Sequence, residues 1–355
     1  MSVGWQVDVE SEARHVLGTS YDIRPRSIER LARDSPNQIW RCTTSDGRYT
    51  LKRLGRPGQD RWLAFQDAAI ARAAQCGVPT EPLIRAVDGS PTASANGALW
   101  QLRRYVPGRH FRDGDPADLR AAAEMVAAVH AVPVDGLPQP GANPIQDMEF
   151  WLGADESAID ELGKLVSASA SPAMWDEVHE TYRDAYRRAR AALDLPTYQS
   201  LPATLTHGEM AGSNLVFDDE GKLISLLDWD GVDIRPRAYD LARAMLFLAR
   251  AGRGSFRIHH DLGVDLVLRA TAASPLRLDE LRALTPILEL YCVPTARYLR
   301  QMAKTSPATF KWYLGWTAEG ARTVRDNVRP AVTRLAEHLE RTGVARETAP
   351  GLEIS

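Results

Sequence analysis

Three residues in the second half of the chain have the types and spacing that phosphoryl transfer uses. In the stretch LTHGEMAGSNLVF (Leu205 to Phe217), Glu209 is followed five positions later by Asn214. Nineteen residues after Glu209, Asp228 stands in SLLDWDG, behind an apolar run and shortly before Gly231. A carboxylate in a turn can take the proton of an attacking hydroxyl. An amide oxygen, and a carboxylate where a buried strand ends, can hold a hard cation that bridges two phosphates. The candidate catalytic set is therefore Glu209 as base, with Asn214 and Asp228 as magnesium ligands. A fourth part lies far upstream. Lys52, in YTLKRL, is a lone lysine within a strand's apolar pattern, and such a lysine can reach the α- and β-phosphates of a nucleotide. Singly, each residue has an ordinary reading. Lys52 could be an exposed strand lysine, Asp228 and Asp230 turn carboxylates, and His207 a satisfied core histidine. The joint order is what favours chemistry: strand lysine, then acid-x4-Asn, then strand-end Asp.

These residues need a sheet before them and helices around them. NQIWRCTT (Asn37 to Thr44) and RYTLKRL (Arg48 to Leu54) alternate polar and apolar residues about an SDG turn, which predicts a hairpin. RWLAFQDAAIARAAQCG then spaces Trp62, Phe65, Ala69, Ala73 and Cys76 as a helix that stops at Gly77. EPLIRAV and ALWQLRRYV predict two more strands, separated by the turn-rich DGSPTASANG, so a sheet of about four or five strands is expected. VPG (Val106 to Gly108) marks a break. Beyond it DPADLRAAAEMVAAVHAV opens a helix, with Asp115 as cap and Pro116 in the first turn. Ala173 to Leu193 is a second helix, SNLVF and LISLLDW are short strands, and residues 239–342 read as four or five helices. A doubly wound sheet would alternate strands and helices regularly, and this chain does not.

Composition sets the bounds. With 355 residues the chain is long enough for two lobes, and its 44% hydrophobic and 25% charged residues are ordinary for a globular protein. A net charge of −3 argues against a nucleic-acid partner. Cys42, Cys76 and Cys292 are odd in number and far apart, so neither a disulfide framework nor a cysteine metal site is expected. The N-terminus has no basic head followed by an apolar run, and no run spans a bilayer. A cytoplasmic protein without a membrane partner is expected.

HGEMAGSN, LLDWDGVDIRPRAYDLA, MVAAVHAVP and QCGVPTEPLI together resemble the aminoglycoside phosphotransferase and choline kinase group, over about residues 25 to 340. This is the small-molecule branch of the protein-kinase-like fold. The resemblance implies a two-lobed α+β fold, with a sheet-rich N-lobe over residues 1–105 and a mostly helical C-lobe over 106–355. It implies Glu209 as acid/base, Mg2+ on Asn214 and Asp228, and Lys52 on the phosphates of ATP or GTP. Backbone groups near Arg104, Tyr105 and Val106 would hold the purine. Asp240 would brace the catalytic loop, and His207 would be architectural. RDSPNQIW stands where the family has its phosphate-covering loop, with Ser35 and Asn37 as its polar candidates.

Two departures stand out. The family pattern HGDxxxxN has aspartate where this chain has Glu209. The first helix usually offers the strand lysine a glutamate, and here Gln66 occupies that place, with Asp67 about 100° round the helix. Either a neutral amide holds Lys52, or Asp67 does. The expected function is transfer of the γ-phosphate of ATP or GTP to a hydroxyl of a small molecule, an antibiotic or metabolite, or to Ser/Thr of a biosynthetic precursor peptide. The alternative is a nucleotide-binding pseudokinase with a regulatory or scaffold role. Residues 241–345 hold 16 Lys and Arg against 9 Asp and Glu, which argues against a polycationic aminoglycoside as acceptor. Tyr291, Tyr298, Trp312, Tyr313 and Trp316 could line a pocket for a flat or apolar acceptor.

Overall fold

The structure is a computed structural model and describes residues 4–32, 37–55, 60–141, 148–169, 172–305 and 307–343. Its first part is α1 (Gly4–Tyr21), β1 (Ser27–Ala32), β2 (Gln38–Thr43), β3 (Arg48–Arg53), α2 (Asp60–Gln75), β4 (Leu83–Ile84), β5 (Ala93–Ala95) and β6 (Ala98–Arg104). The strands form one antiparallel sheet in the order β1-β2-β3-β6-β4, with β5 also on β6. That is six strands where four or five were expected. The two extra are β1 and β5. The EPLIRAV segment contributes only the two residues of β4.

Strand periodicity divides this sheet into two faces. Trp40 and Cys42 of β2, Tyr49 and Leu51 of β3, and Trp100 and Leu102 of β6 are buried together with Ala13, Val16 and Leu17 of α1. The residues between them face the other way. Lys52 is in register with Ile39 on one side and Gln101 on the other, and Thr50 with Arg103. A strand that buries Leu51 under α1 must therefore aim Lys52 at the opposite face, where α2 and the cleft lie.

The second part opens with β7 (Arg109–His110) and α3 (Pro116–His130). Asp115 caps α3, accepting from the backbone N–H groups of Ala117 and Asp118, as its sequence predicts. There follow α4 (Met148–Gly153), α5 (Ser157–Ser169), α6 (Pro172–Ala192), α7 (Leu195–Ser200), β8 (Ala203–Thr206), β9 (Leu215–Phe217), β10 (Leu223–Leu226) and β11 (Asp233–Pro236). The chain ends in α8 (Arg237–Leu248), α9 (His260–Ala270), α10 (Leu278–Tyr291), α11 (Ala296–Thr305) and α12 (Pro307–Thr342). A large apolar core joins these helices. Phe65, Ala69, Ile70 and Ala73 of α2 belong to this core and not to the core under α1. Helix α2 thus fastens the sheet to the helical part.

Two strand pairs place the loops that matter. β8 pairs with β11, and β9 pairs with β10, both antiparallel. The loop leaving β8 and the turn leaving β10 are consequently side by side. Their backbones come so close that a Cβ on Gly208, which has φ +78°, would stand 2.2 Å from the Gly231 carbonyl oxygen. No side chain fits there.

Candidate active site

The loop after β8 is held from below. Asp240, fully buried on α8, accepts from the backbone N–H of His207 at 2.7 Å and of Gly208 at 2.8 Å. Burial would raise its pKa, but His130, His207 and these bonds outweigh it and hold the carboxyl below its ordinary value. His207 is fully buried too. Its Nε2–H donates to the Leu227 carbonyl at 3.0 Å, and its Nδ1 accepts from the Glu209 backbone N–H at 3.3 Å. Burial lowers its pKa, so the ring is neutral, with Nδ1 bare. A neutral ring in this tautomer ties the β8 loop to the β10 turn. The sequence-based reading of His207 and Asp240 as architecture describes these contacts.

Glu209 follows, half-buried, with its Cγ near Gly231. The side-chain amide of Asn214 donates to the Glu209 carbonyl at 2.8 Å, leaving the Asn214 oxygen as the end able to ligate a cation. Asp228 heads the turn after β10 in a left-handed backbone, φ 59° and ψ 65°. A non-glycine residue held there stores about 1–3 kcal/mol of strain, a cost tolerated at functional sites.

Lys52 meets this turn across the cleft. Its Nζ lies 2.6 Å from Asp228 Oδ1 and 2.7 Å from Asp230 Oδ1. Burial alone would lower the Lys52 pKa; the two carboxylates outweigh it, raise the pKa and keep the ammonium charged. Lys52, Asn214 and Asp228 line one cavity of about 400 Å³, with Ile39, Thr50, Glu81, Arg103, Tyr105, Val106 and Gly108 among its other walls. Glu81 is a buried acid beside Arg103, 3.5 Å from its Nε, and burial raises its pKa. Oxygen ligands of this kind suit Mg2+, which usually takes one or two protein oxygens and fills its remaining positions with phosphate and water. Asp228 and Asn214 fit that pattern, and among the described residues no cluster of three or more His, Cys, Asp or Glu offers a rival site.

Other expected contacts fall elsewhere. Gln66 does not touch Lys52. Its Nε2 donates to the Trp229 carbonyl at 3.1 Å and reaches Asp230 at 3.4 Å, while its oxygen accepts from Gln101. Asp67 pairs with Arg85 at 2.7 Å, on the other side of the helix. Neither alternative for the lysine's partner holds; Asp228 and Asp230 are the partners, because α2 presents an amide and the turn presents two acids. Asn37 is buried, with Nδ2 on Asp230 and Oδ1 on the Gly55 N–H, so it faces the turn and not the cavity. Ser35 lies outside the described residues. Tyr105 and Val106 line the cavity, but the Arg104 side chain is exposed, its guanidinium over the Tyr49 ring. The backbone N–H groups of Arg104 and Tyr105 are already given to Pro82 and Arg48. Of the C-terminal aromatics, Tyr291 stacks edge-on against Phe247 with Arg243 over its face, near enough to Glu209 for that carboxylate to raise its pKa, though burial is the larger cause. Trp312 is exposed and stacks on Trp316. The residue the sequence passed over is Asp230. Its signal is the paired acid in DWD, read there as an ordinary turn.

The sequence profile of the phosphotransferase enzyme family (APH) matches residues 27–263. The chain belongs to this family. No curated protein matches its sequence. Among solved structures, this phosphotransferase is similar to the amicoumacin kinase hAmiN in complex with AMP-PNP, Ca2+ and Ami, at 13% identity and TM-score 0.61, covering 90% of this chain and 96% of that one. A microcompartment-associated aminopropanol kinase aligns at 14% identity and TM-score 0.59, over 92% and 99% of the two chains. Spectinomycin phosphotransferase APH(9)-Ia in complex with ADP and spectinomycin aligns at 11% identity and TM-score 0.56, over 88% and 98%. At these identities the likeness concerns the fold, a kinase-like sheet lobe followed by a mostly helical lobe.

Proposed function

We propose that this phosphotransferase moves the γ-phosphate of ATP or GTP to a hydroxyl of a small molecule, or to Ser/Thr of a precursor peptide, with Glu209 as base. The observation that carries the reading is convergence: Lys52, Asn214 and Asp228, from elements far apart in sequence, line one cavity beside the Glu209 loop. In this reading Glu209 takes the proton from the acceptor hydroxyl. The oxygen then bonds to the γ-phosphorus, and the bond to the bridging oxygen breaks, releasing the nucleoside diphosphate. Lys52 steadies the donor phosphates, and Tyr105 and Val106 flank the purine. Mg2+ on Asn214 and Asp228 would neutralise charge on the phosphates. Relatives of the same fold bound to ADP with spectinomycin, and to AMP-PNP with Ca2+, support a nucleotide donor and a small acceptor.

Glu209 favours a second reading, the nucleotide-binding pseudokinase, because it departs from the family aspartate. The test is transfer of labelled γ-phosphate under saturating Mg-ATP or Mg-GTP to a panel of hydroxylated metabolites, antibiotics and Ser/Thr peptides. Transfer that Glu209→Gln suppresses supports the enzyme. Nucleotide binding with no transfer to any acceptor supports the pseudokinase.

A further inference from the structure

We propose that Asp230 is the positioning residue that holds Lys52 toward the donor phosphates, taking over the task for which helix α2 offers no acid. The inference rests on the phosphotransfer reading of the cleft. A strand lysine buried in such a cleft needs a permanent counter-charge. Asp228 touches it at 2.6 Å, but the Asp228 side chain is 34% exposed and lines the cavity, where a phosphate-bound cation would compete for it. The Asp230 side chain is 12% exposed and anchored on several sides. Its Oδ1 is 2.7 Å from Lys52 Nζ, its Oδ2 accepts from Asn37 at 2.6 Å, and Gln66 approaches Oδ1 at 3.4 Å.

Gln66 is the telling partner. Its amide donates toward Asp230 and to the Trp229 carbonyl, and Gln101 fixes the amide's other end at 3.1 Å. A glutamate here would set a second carboxylate against Asp230, and like charges at that distance cannot both stay ionised cheaply. The acid that holds the lysine therefore sits on the turn, across the lysine from α2, and Gln66 is a donor that supports it. Asn37 extends the brace to the β1–β2 connection and, through the Gly55 N–H at 3.0 Å, to the end of β3.

The experiment is calorimetric binding of AMP-PNP and GMP-PNP to the full chain, titrated over magnesium, for wild type, Asp230→Asn, and Asp230→Asn with Gln66→Glu. Asp230→Asn is expected to weaken the nucleotide about tenfold or more, with the magnesium half-saturation unchanged. Adding Gln66→Glu, which returns the carboxylate to α2, is expected to recover most of that loss. Wild-type affinity in Asp230→Asn overturns the proposal. So does a loss that excess magnesium repairs and Gln66→Glu does not, which would make Asp230 a metal ligand. Should Asp230→Asn fail to fold, Asn37→Ala and Gln66→Ala loosen the brace and keep the charge. Each is expected to cost severalfold in nucleotide affinity, and no loss in both overturns the proposal. Wild type that binds neither analogue overturns the phosphotransfer reading itself.

Discussion

Glu209 carries one methylene more than the aspartate of the HGDxxxxN pattern, on a backbone that the loop holds in place. The His207 ring accepts its backbone N–H, and the Asn214 amide caps its carbonyl, so the backbone is pinned and only the side chain differs. On the proposed reading Glu209→Gln keeps shape and removes the base, and kcat is expected to fall roughly 10²–10⁴-fold. Glu209→Asp draws the carboxylate back by about one bond length, a misplacement expected to cost about 10²-fold. A faster aspartate variant in steady-state assays would show that the glutamate is a partial loss of function. Asp228→Asn is expected to abolish transfer at ordinary magnesium with the thermal melt unchanged, since a neutral amide binds a hard cation weakly. That Lys52, Asn214 and Asp228 share one cavity was legible in the sequence, because each sits in a short local pattern. Asp230 was not, because its partners Asn37 and Gln66 lie 193 and 164 residues away. Only the fold brings them together.

The loop after β8 and the turn after β10 depend on α8, and acid should find this weakness first. His207 titrates below its ordinary 6.5 because burial disfavours the charged ring. With the folded pKa depressed, the unfolded chain binds the proton first, so stability is full above about pH 6.5 and falls as pH drops below it. Asp240 acts in the same sense at lower pH, since its folded pKa is also depressed. Melting temperature is expected to fall as pH goes from 7 to 5, and less steeply in His207→Gln. An identical slope in that variant would remove His207 from the account. Asp240→Ala leaves the His207 and Gly208 N–H groups buried and unpaired, and about 3 kcal/mol or more of stability should go. Elements with a clear period or cap, β2, β3, α2 and α3, could be read from sequence. β5 was hidden in a turn-rich stretch, where Asn96 and Gly97, both at positive φ, turn the chain back onto β6. β8 and β11 are four residues each, too short for alternation to show.

Across the whole molecule, a sheet with its own small core is fastened through α2 to a larger helical core, and the cavity lies where the two parts face each other. A ligand that binds only this folded arrangement stabilises it, by about 2.7 kcal/mol at a hundred times its Kd. Mg-ATP or Mg-GTP is therefore expected to raise the melting temperature by several degrees, and whichever purine does so more at equal concentration is the tighter-bound. Acceptor charge is a harder question at this scale. Within residues 241–345, Arg250, Arg269, Arg277, Arg322, Arg325, Arg329 and Arg334 pair with acids, all but Arg250 with acids of the same segment, so local pairing and not the segment's sum sets the charge at any one place. Net charge of a segment thus says little about its pocket. Arg243 is buried against the rings of Tyr239 and Tyr291, its Nη1–H donating to the Tyr239 hydroxyl at 2.6 Å. On the proposed reading, a guanidinium near the acceptor disfavours an incoming ammonium and suits a neutral or acidic one. In a panel at fixed nucleotide, neutral and acidic hydroxyl compounds are expected to be phosphorylated and aminoglycosides not. Arg243→Gln should relax that discrimination. Efficient, salt-sensitive phosphorylation of aminoglycosides by wild type would mean that the acids of the cleft, and not Arg243, set the charge of the acceptor.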